Sequence, residues 1–265
     1  MIRVLPDLKG AADVLASRGG EIGRPLHVLA ETTSTNDEAK RAAKEGAPHG
    51  STWLTESQLG GRGRQGRAWL SSPGESLLFS VLLRLECVPV RLPLVALVAG
   101  LAVRDAVARA APLADVRIKW PNDVVVRDRG GLSKIAGVLV ETSMSGRMAE
   151  AVVVGIGINV HTRVFPPEIA ARASSVALVA SRPPERMEIL ADVLEGMDRD
   201  VAAVVARGLG LIHARLAAAD ALAGRAVKSE QGEGVADSID LEGRLVVRAA
   251  DGKVSRWSAG EVHLA

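Results

Sequence analysis

Tyrosine is missing from this chain of 265 residues, and two phenylalanines and four tryptophans are its only aromatics. Its core must therefore be built from Val, Leu, Ile and Ala, and stacking platforms for nucleobases are scarce. Cysteine is nearly missing too. Cys87 alone excludes an internal disulfide and any zinc site made of cysteines, and it fits a reducing compartment. The five histidines, His27, His49, His161, His213 and His263, lie apart without metal-ligand spacing. Charge of one sign is lacking as well. A formal net charge of +2 is too small for a nucleic-acid coat, so any basicity that matters is local. Long apolar runs are also wanting: LVALVAGLAV (94–103) falls short of the roughly 20 residues of a membrane span and reads as a buried helix. The opening MIRVLPDLKG has no basic-then-apolar order of a signal peptide, which points to a soluble, cytoplasmic chain without a membrane partner.

What is present is ample apolar content, 48 %, enough for one large domain or a domain with a smaller companion. Residues 7–18 suit one short helix before the break at GGEIG (19–23). TTSTNDEAKRAAKEG (32–46) reads as a helix with a Thr35–Glu38 capping box and a stop at Gly46. STWLTES (51–57) and SLLFSVLLRL (76–85) read as strands, the second apolar enough to be central. Helix is expected over 92–111 and 184–207, and strand over 116–120, 134–142 and 149–160. After residue 222 the texture becomes short alternating segments, with Asp251-Gly252 as a hairpin signal. The expected division is an extension over 1–25, an α/β domain over 26–220 and a small all-β domain over 221–265.

Chemistry gathers first at GGRGRQGRAW (60–69), with four glycines and three arginines. Gly61 to Gly66 matches G-x-G-x-x-G, but AWLSSPGES does not read as the helix a dinucleotide site must open. Arg67-Ala68 stands where a P-loop needs Lys-Ser/Thr, so that reading fails too. What survives is a loop whose backbone can approach a ligand closely and whose guanidinium forks suit carboxylate or phosphate. A solvated turn or an RNA-binding segment is the ordinary alternative. Ser34-Thr35-Asn36 offers hydroxyls and an amide at a helix start, though helix capping alone accounts for it. In Lys119-Trp120-Pro121-Asn122-Asp123 the proline ends a strand and projects Asn122 and Asp123 from it, a place for ligand or Mg2+ contacts as well as an ordinary turn. Lys134 stands at a strand mouth, and Gly155-Ile-Gly157-Ile-Asn159 signals close backbone approach to another element or a ligand.

In order, STN, Q-x-x-GRGRxGRxW, KWPND, K-x-x-G-x-L-x-E and GxGxN resemble the bacterial biotin–protein ligases, over about residues 28 to 160. The resemblance implies an α/β (α+β) fold: a mixed sheet flanked by helices, related to lipoate ligases and class II synthetases, with an SH3-like β-barrel following. It implies two steps, in which biotin and ATP form biotinyl-5′-AMP and a lysine of a biotin carboxyl carrier protein then takes the biotin. By position it assigns biotin contacts to Ser34, Thr35, Asn36, Gln58, Arg62, Gly63, Arg64, Lys134 and Gly137. Nucleotide and phosphate contacts fall to Arg62, Arg64, Arg67, Trp69, Lys119, Asn122, Asp123 and Asn159, with Trp69 also supporting the loop or the biotin tail. Lys134 and Arg64 carry the catalytic roles, and Asp123 is the candidate Mg2+ ligand. With about 25 residues ahead of the domain, no operator DNA binding is expected. Two other readings stay open: a lipoate- or octanoate-transferring enzyme on the same fold, and an RNA-binding module. Adenine contacts stay unassigned within 160–215, and the oligomeric state is open, a homodimer through sheet edges included.

Overall fold

The computed structural model describes residue 3 and residues 6–85, 91–145 and 148–265. Cys87 lies outside the described residues. The chain opens with α1 (Pro6–Lys9), α2 (Ala11–Arg18), β1 (Leu26–Leu29), α3 (Thr35–Lys44), β2 (Thr52–Thr55) and β3 (Ser76–Leu83). There follow α4 (Leu92–Ala110), the hairpin of β4 (Asp115–Lys119) and β5 (Asp123–Asp128), and the long pair β6 (Gly131–Ser145) and β7 (Met148–Asn159). The helices α5 (Pro167–Ala170), α6 (Val176–Val179), α7 (Arg186–Arg207) and α8 (His213–Ala219) lead to β8 (Ala226–Ser229), β9 (Gly232–Ile239), β10 (Leu245–Arg248), β11 (Val254–Trp257) and β12 (His263–Leu264).

Seven strands form one mixed sheet in the order β1-β2-β3-β7-β6-β5-β4; β1 runs parallel to β2 and the other neighbours pair antiparallel. As its apolar run predicts, β3 is internal and buried along its whole length. The expected helices over 92–111 and 184–207 are α4 and α7, which pack on each other and carry the core with Leu97, Leu101, Leu190 and Leu194. The region 7–18 is two helices, broken at Gly10, and buries Leu8, Ala11 and Leu15 in that same core. Arg186, fully buried at the start of α7, ties this segment down by pairing with Asp7 at 2.8 Å and Glu56 at 2.7 Å.

Two local expectations change. The capping box does not form: the N-cap is Ser34, without a side-chain cap bond, and Thr35 is already helical. Glu38 turns instead to accept from the Thr32 hydroxyl at 2.8 Å, and Thr35 is recruited into the site described below. Gly46 does follow the helix end, at φ 88. Residues 123–128 continue as strand β5 rather than ending in a turn. Asn122 and Asp123 thus occupy the mouth of the β4–β5 hairpin.

The last five strands form a separate antiparallel sheet, β11-β10-β9-β8-β12, which fits the small β domain. Asp251-Gly252 lies in the connection between β10 and β11, whose register pairs Leu245 with Trp257. This sheet is joined to the first by the buried Trp120 indole, which donates to the Gly243 carbonyl at 2.9 Å. Among the described residues no helix is long and apolar enough to cross a membrane.

Candidate active site

A cavity of about 490 Å³ opens over the middle of the seven-stranded sheet, between the 60–69 loop, the β4–β5 hairpin and the last strand of the chain. Every residue singled out from the sequence as a site candidate lines it. They come from six separate stretches, so tertiary structure has brought together what the sequence only ordered.

The two glycines of β7 build the floor. A Cβ on Gly155 would stand 2.2 Å from Asn36 Oδ1, and one on Gly157 would stand 2.6 Å from the Trp69 indole. Bare backbone at these positions is what lets Asn36 and Trp69 come close against the strand. The close approach expected of GxGxN is therefore to other elements of the chain. Gly137 on β6 is less crowded, with Lys134 Nζ 2.9 Å and Trp69 3.2 Å from a notional Cβ. Asn159 donates to the Ser174 carbonyl at 3.0 Å, so its amide is taken up by the chain segment that walls the cavity.

One end is neutral, polar and closed on itself. Gln58 Oε1 accepts from the Thr35 backbone N–H at 2.8 Å. Ser80 Oγ lies 2.7 Å from Thr35 Oγ1 and 2.5 Å from Asn36 Oδ1. Asn36 Nδ2 donates to Glu141 at 2.6 Å, and Lys40 Nζ holds the other Glu141 oxygen at 2.9 Å. Ser80 is no part of any sequence motif, and Glu141 enters only as the last position of K-x-x-G-x-L-x-E, with no role attached. Ser80 looks like one more residue of an apolar strand until the β3–β7 register places it opposite Gly155.

Cations line the loop and the other end, Arg62 standing nearest the neutral end, beside Asp37 and Glu141. Arg62 makes a two-pronged contact with Asp37, at 2.9 and 2.6 Å, and the guanidinium holds that carboxyl down at about 2. Arg64 donates to Asn122 Oδ1 at 2.9 Å and to the Gly260 carbonyl at 3.2 Å. Arg67 pairs with Glu261, which holds that carboxyl below its ordinary range. The loop thus reaches the C-terminal sheet through two arginines. Lys134 Nζ stands 2.7 Å from Asp123 Oδ1 and 5.5 Å from the centre of the Trp69 ring, over its face. Lys119 is half-buried, and burial pushes its ammonium below the usual lysine value, against the pull of Asp123 and Glu261.

A third wall was not foreseen. Phe165, Ile169, Arg172 and Ala173 line the cavity beside Leu132. They are held there by backbone bonds across Lys134, whose N–H donates to the Arg172 carbonyl and whose carbonyl accepts from Ser174. No motif marks this stretch, because its contribution is an apolar surface set by chain path.

An aromatic-backed slot between a neutral hydrogen-bonding end and a cationic end suits a ligand that is polar at one tip, apolar in the middle and anionic at the other. Comparison with known proteins agrees. Residues 28–159 match the biotin/lipoate A/B protein ligase family. The chain is 37 % identical over 179 residues to the biotin--[acetyl-CoA-carboxylase] ligase of Mycobacterium tuberculosis, covering 66 % of this chain and 63 % of that one. It is 31 % identical over 219 residues to the bifunctional ligase/repressor BirA of Salmonella typhimurium, covering 81 % and 67 %. It thus spans about two thirds of the length of these curated relatives. A solved structure of the Aquifex aeolicus biotin protein ligase, in complex with biotin and ATP, superposes with a TM-score of 0.77 at 27 % identity, over 91 % of this chain and 100 % of that one. With the fold, the motif order and these matches in agreement, the chain belongs to the biotin/lipoate A/B protein ligase family.

Proposed function

We propose that the protein is an ATP-dependent biotin–protein ligase acting on a biotin carboxyl carrier protein of the acetyl-CoA carboxylase type. The observation that carries this reading is the continuous cavity that runs from the Thr35–Gln58 end, past Arg62, to the Arg64–Lys134 end. Biotin has the matching anatomy: a neutral ureido ring, an apolar tail and a terminal carboxylate. In the first step a biotin carboxylate oxygen bonds to the α-phosphorus of ATP and the bond to the bridging oxygen breaks, releasing pyrophosphate. In the second, the carrier lysine's amine attacks the acyl carbon, the acyl–phosphate bond breaks, AMP leaves and the amine loses a proton.

Each residue then has work to do. Two anions approach one another in step one, so fixed cations must offset their repulsion. Lys134, between Asp123 and the Trp69 face, meets the carboxylate and the α-phosphate oxygens. Arg62 and Arg64 exchange Asp37 and Asn122 for ligand oxygens, while Arg67 and Lys119 meet the departing phosphates. Gly63 lets the loop backbone follow. Loop closure keeps water from the acyl-adenylate. The apolar wall of Phe165 and Ile169 offers a surface for the adenine ring.

ATP chemistry implies Mg2+, and the donor set fits an ion carried mainly by phosphate oxygens. Asp123 Oδ1 is buried without an aligned hydrogen bond despite its ion pair with Lys134, and the described residues hold no cluster of three His, Cys, Asp or Glu. Asp123 would be its one carboxylate, and the ion would neutralise phosphate charge.

The test is exchange of labelled pyrophosphate into ATP with biotin, lipoate or octanoate. Biotin-dependent exchange is the expected result. Exchange with lipoate or octanoate instead would keep the chemistry and overturn the substrate, and none with any acid would overturn the ligase reading.

A further inference from the structure

Glu141 touches no part of the cavity that a ligand would fill, yet it decides what the ureido end offers. Its ionised carboxylate has only acceptors. At 2.6 Å from Asn36 it fixes which side of that amide is nitrogen, so Oδ1 must face Ser80. Two oxygens 2.5 Å apart need a proton between them, and Asn36 has none to give there, so Ser80 donates. Ser80 has one proton. Its 2.7 Å contact with Thr35 Oγ1 must then be made by the Thr35 hydroxyl proton. The longer 3.2 Å approach of Thr35 Oγ1 to Gln58 Oε1 is left without one. Thr35 is thereby presented to the cavity as an acceptor. Gln58, whose oxygen is taken by the Thr35 backbone N–H, is presented through its NH2 as a donor.

We propose that Glu141 is a positioning residue that sets the donor–acceptor sense of the Asn36–Ser80–Thr35 row, and so matches the site to a ligand tip carrying N–H beside C=O. This rests on the ligase reading, under which that tip is the biotin ureido ring. Lys40 and, at 4.0 Å, Arg62 keep Glu141 charged. Burial alone would raise its pKa, but the Asn36 amide and the Lys40 ammonium outweigh it and hold it below the ordinary value. Replacing the carboxylate by an amide removes the constraint. The new amide could donate, Asn36 could turn, and the proton order along the row could reverse, leaving Thr35 a donor where the ligand also donates.

The experiment uses the full chain and biotin-dependent pyrophosphate exchange, with melting curves as the fold control. Glu141→Gln should raise the KM for biotin by about tenfold or more and leave the KM for ATP within about twofold. Asn36→Asp alone, which sets two carboxylates against each other, should do the same. The double variant E141Q/N36D exchanges carboxylate and amide, restores the original sense, and should bring the biotin KM back to within a few-fold of the parent. Ser80→Ala, which removes only the relaying hydroxyl, should also raise the biotin KM selectively. A parental biotin KM in E141Q or in S80A overturns the proposal, and so does a double variant as impaired as the two single effects multiplied. Loss that falls equally on ATP would mark Glu141 as merely structural. Exchange by the unaltered protein is the separate control, since its failure would sink the ligase reading whatever the variants do.

Discussion

At one end of the cavity Thr35, Asn36 and Ser80 are buried and hydrogen-bonded through one another, while along the loop that runs from beside them to the other end Arg62, Arg64 and Arg67 reach the surface and are held by an aspartate, an amide and carbonyl, and a glutamate. The first end is finished before any ligand arrives. A neutral polar tip gives little binding energy per hydrogen bond, about 1 kcal/mol net, so misaligned partners would cost as much as they return. Rigidity is the economical solution there. The second end is provisional. Exposed ion pairs are worth roughly 0–1 kcal/mol each, so a ligand carboxylate or phosphate can replace Asp37 or Glu261 with little loss. On the proposed reading, the same site is preformed where its ligand is neutral and exchangeable where its ligand is charged.

Lys134→Ala should break this division most severely, because Lys134 stands at the seam between Asp123 and Trp69. Losing one cation aimed at developing charge costs on the order of 10²–10³-fold in rate. Single-turnover formation of the adenylate should fall by that much while the melting temperature holds. A near-parental rate would remove Lys134 from the chemistry. Arg64→Ala comes next. Its guanidinium, now on Asn122 and Gly260, is the loop's reach across the site, and the retention time of biotinyl-AMP should shorten by roughly 10–100-fold. ATP affinity should change far less. Equal losses for both ligands would contradict the exchangeable end.

Glu261→Gln should have a smaller effect. It removes the charge that holds Arg67 against the C-terminal sheet, at a contact that is largely exposed. The loop should open more readily, with a change of a few-fold at most in adenylate release, and that change should fade as salt rises. A large, salt-independent effect would mean that the C-terminal sheet is part of the preformed frame.

Much of this site was legible, and the reason is local. Cations and glycines announce themselves in GRGRQGR, and KWPND and GxGxN lie at strand ends that apolar runs already delimit. What stayed hidden depends on register and path. Ser80 matters only because β3 pairs with β7 so as to place it opposite Gly155, and the partner of Glu141, the last position of K-x-x-G-x-L-x-E, shows only once α3 lies against β3 and β7 with β6 alongside. Phe165 and Ile169 carry no polar signal at all. Thr35 and Glu38 illustrate the converse. A valid local pattern was displaced because Ser80 and Gln58 offer Thr35 better-buried partners than the helix end does.

Lys119 gives the finest test of the contrast, because it is a charged group held in the closed manner. Burial disfavours its ammonium and lowers its pKa from the ordinary 10.5; Lys134 and Arg67 push it further down, and Asp123 and Glu261 draw it part of the way back. Between the lowered and the ordinary value the unfolded chain binds this proton and the folded one does not, so the group's contribution to stability rises with pH across that interval and is unfavourable below it. A polyphosphate beside Lys119 brings negative charge that restores the ammonium. ATP binding at a pH between the lowered and the ordinary value should therefore take up a fraction of a proton, read as a difference in apparent binding heat between buffers of unlike ionisation enthalpy. Lys119→Arg, permanently charged, should abolish that difference while keeping most of the affinity. If the parent and the variant show the same heats in both buffers, Lys119 does not meet the phosphates, and the cationic end stops at Lys134 and the loop.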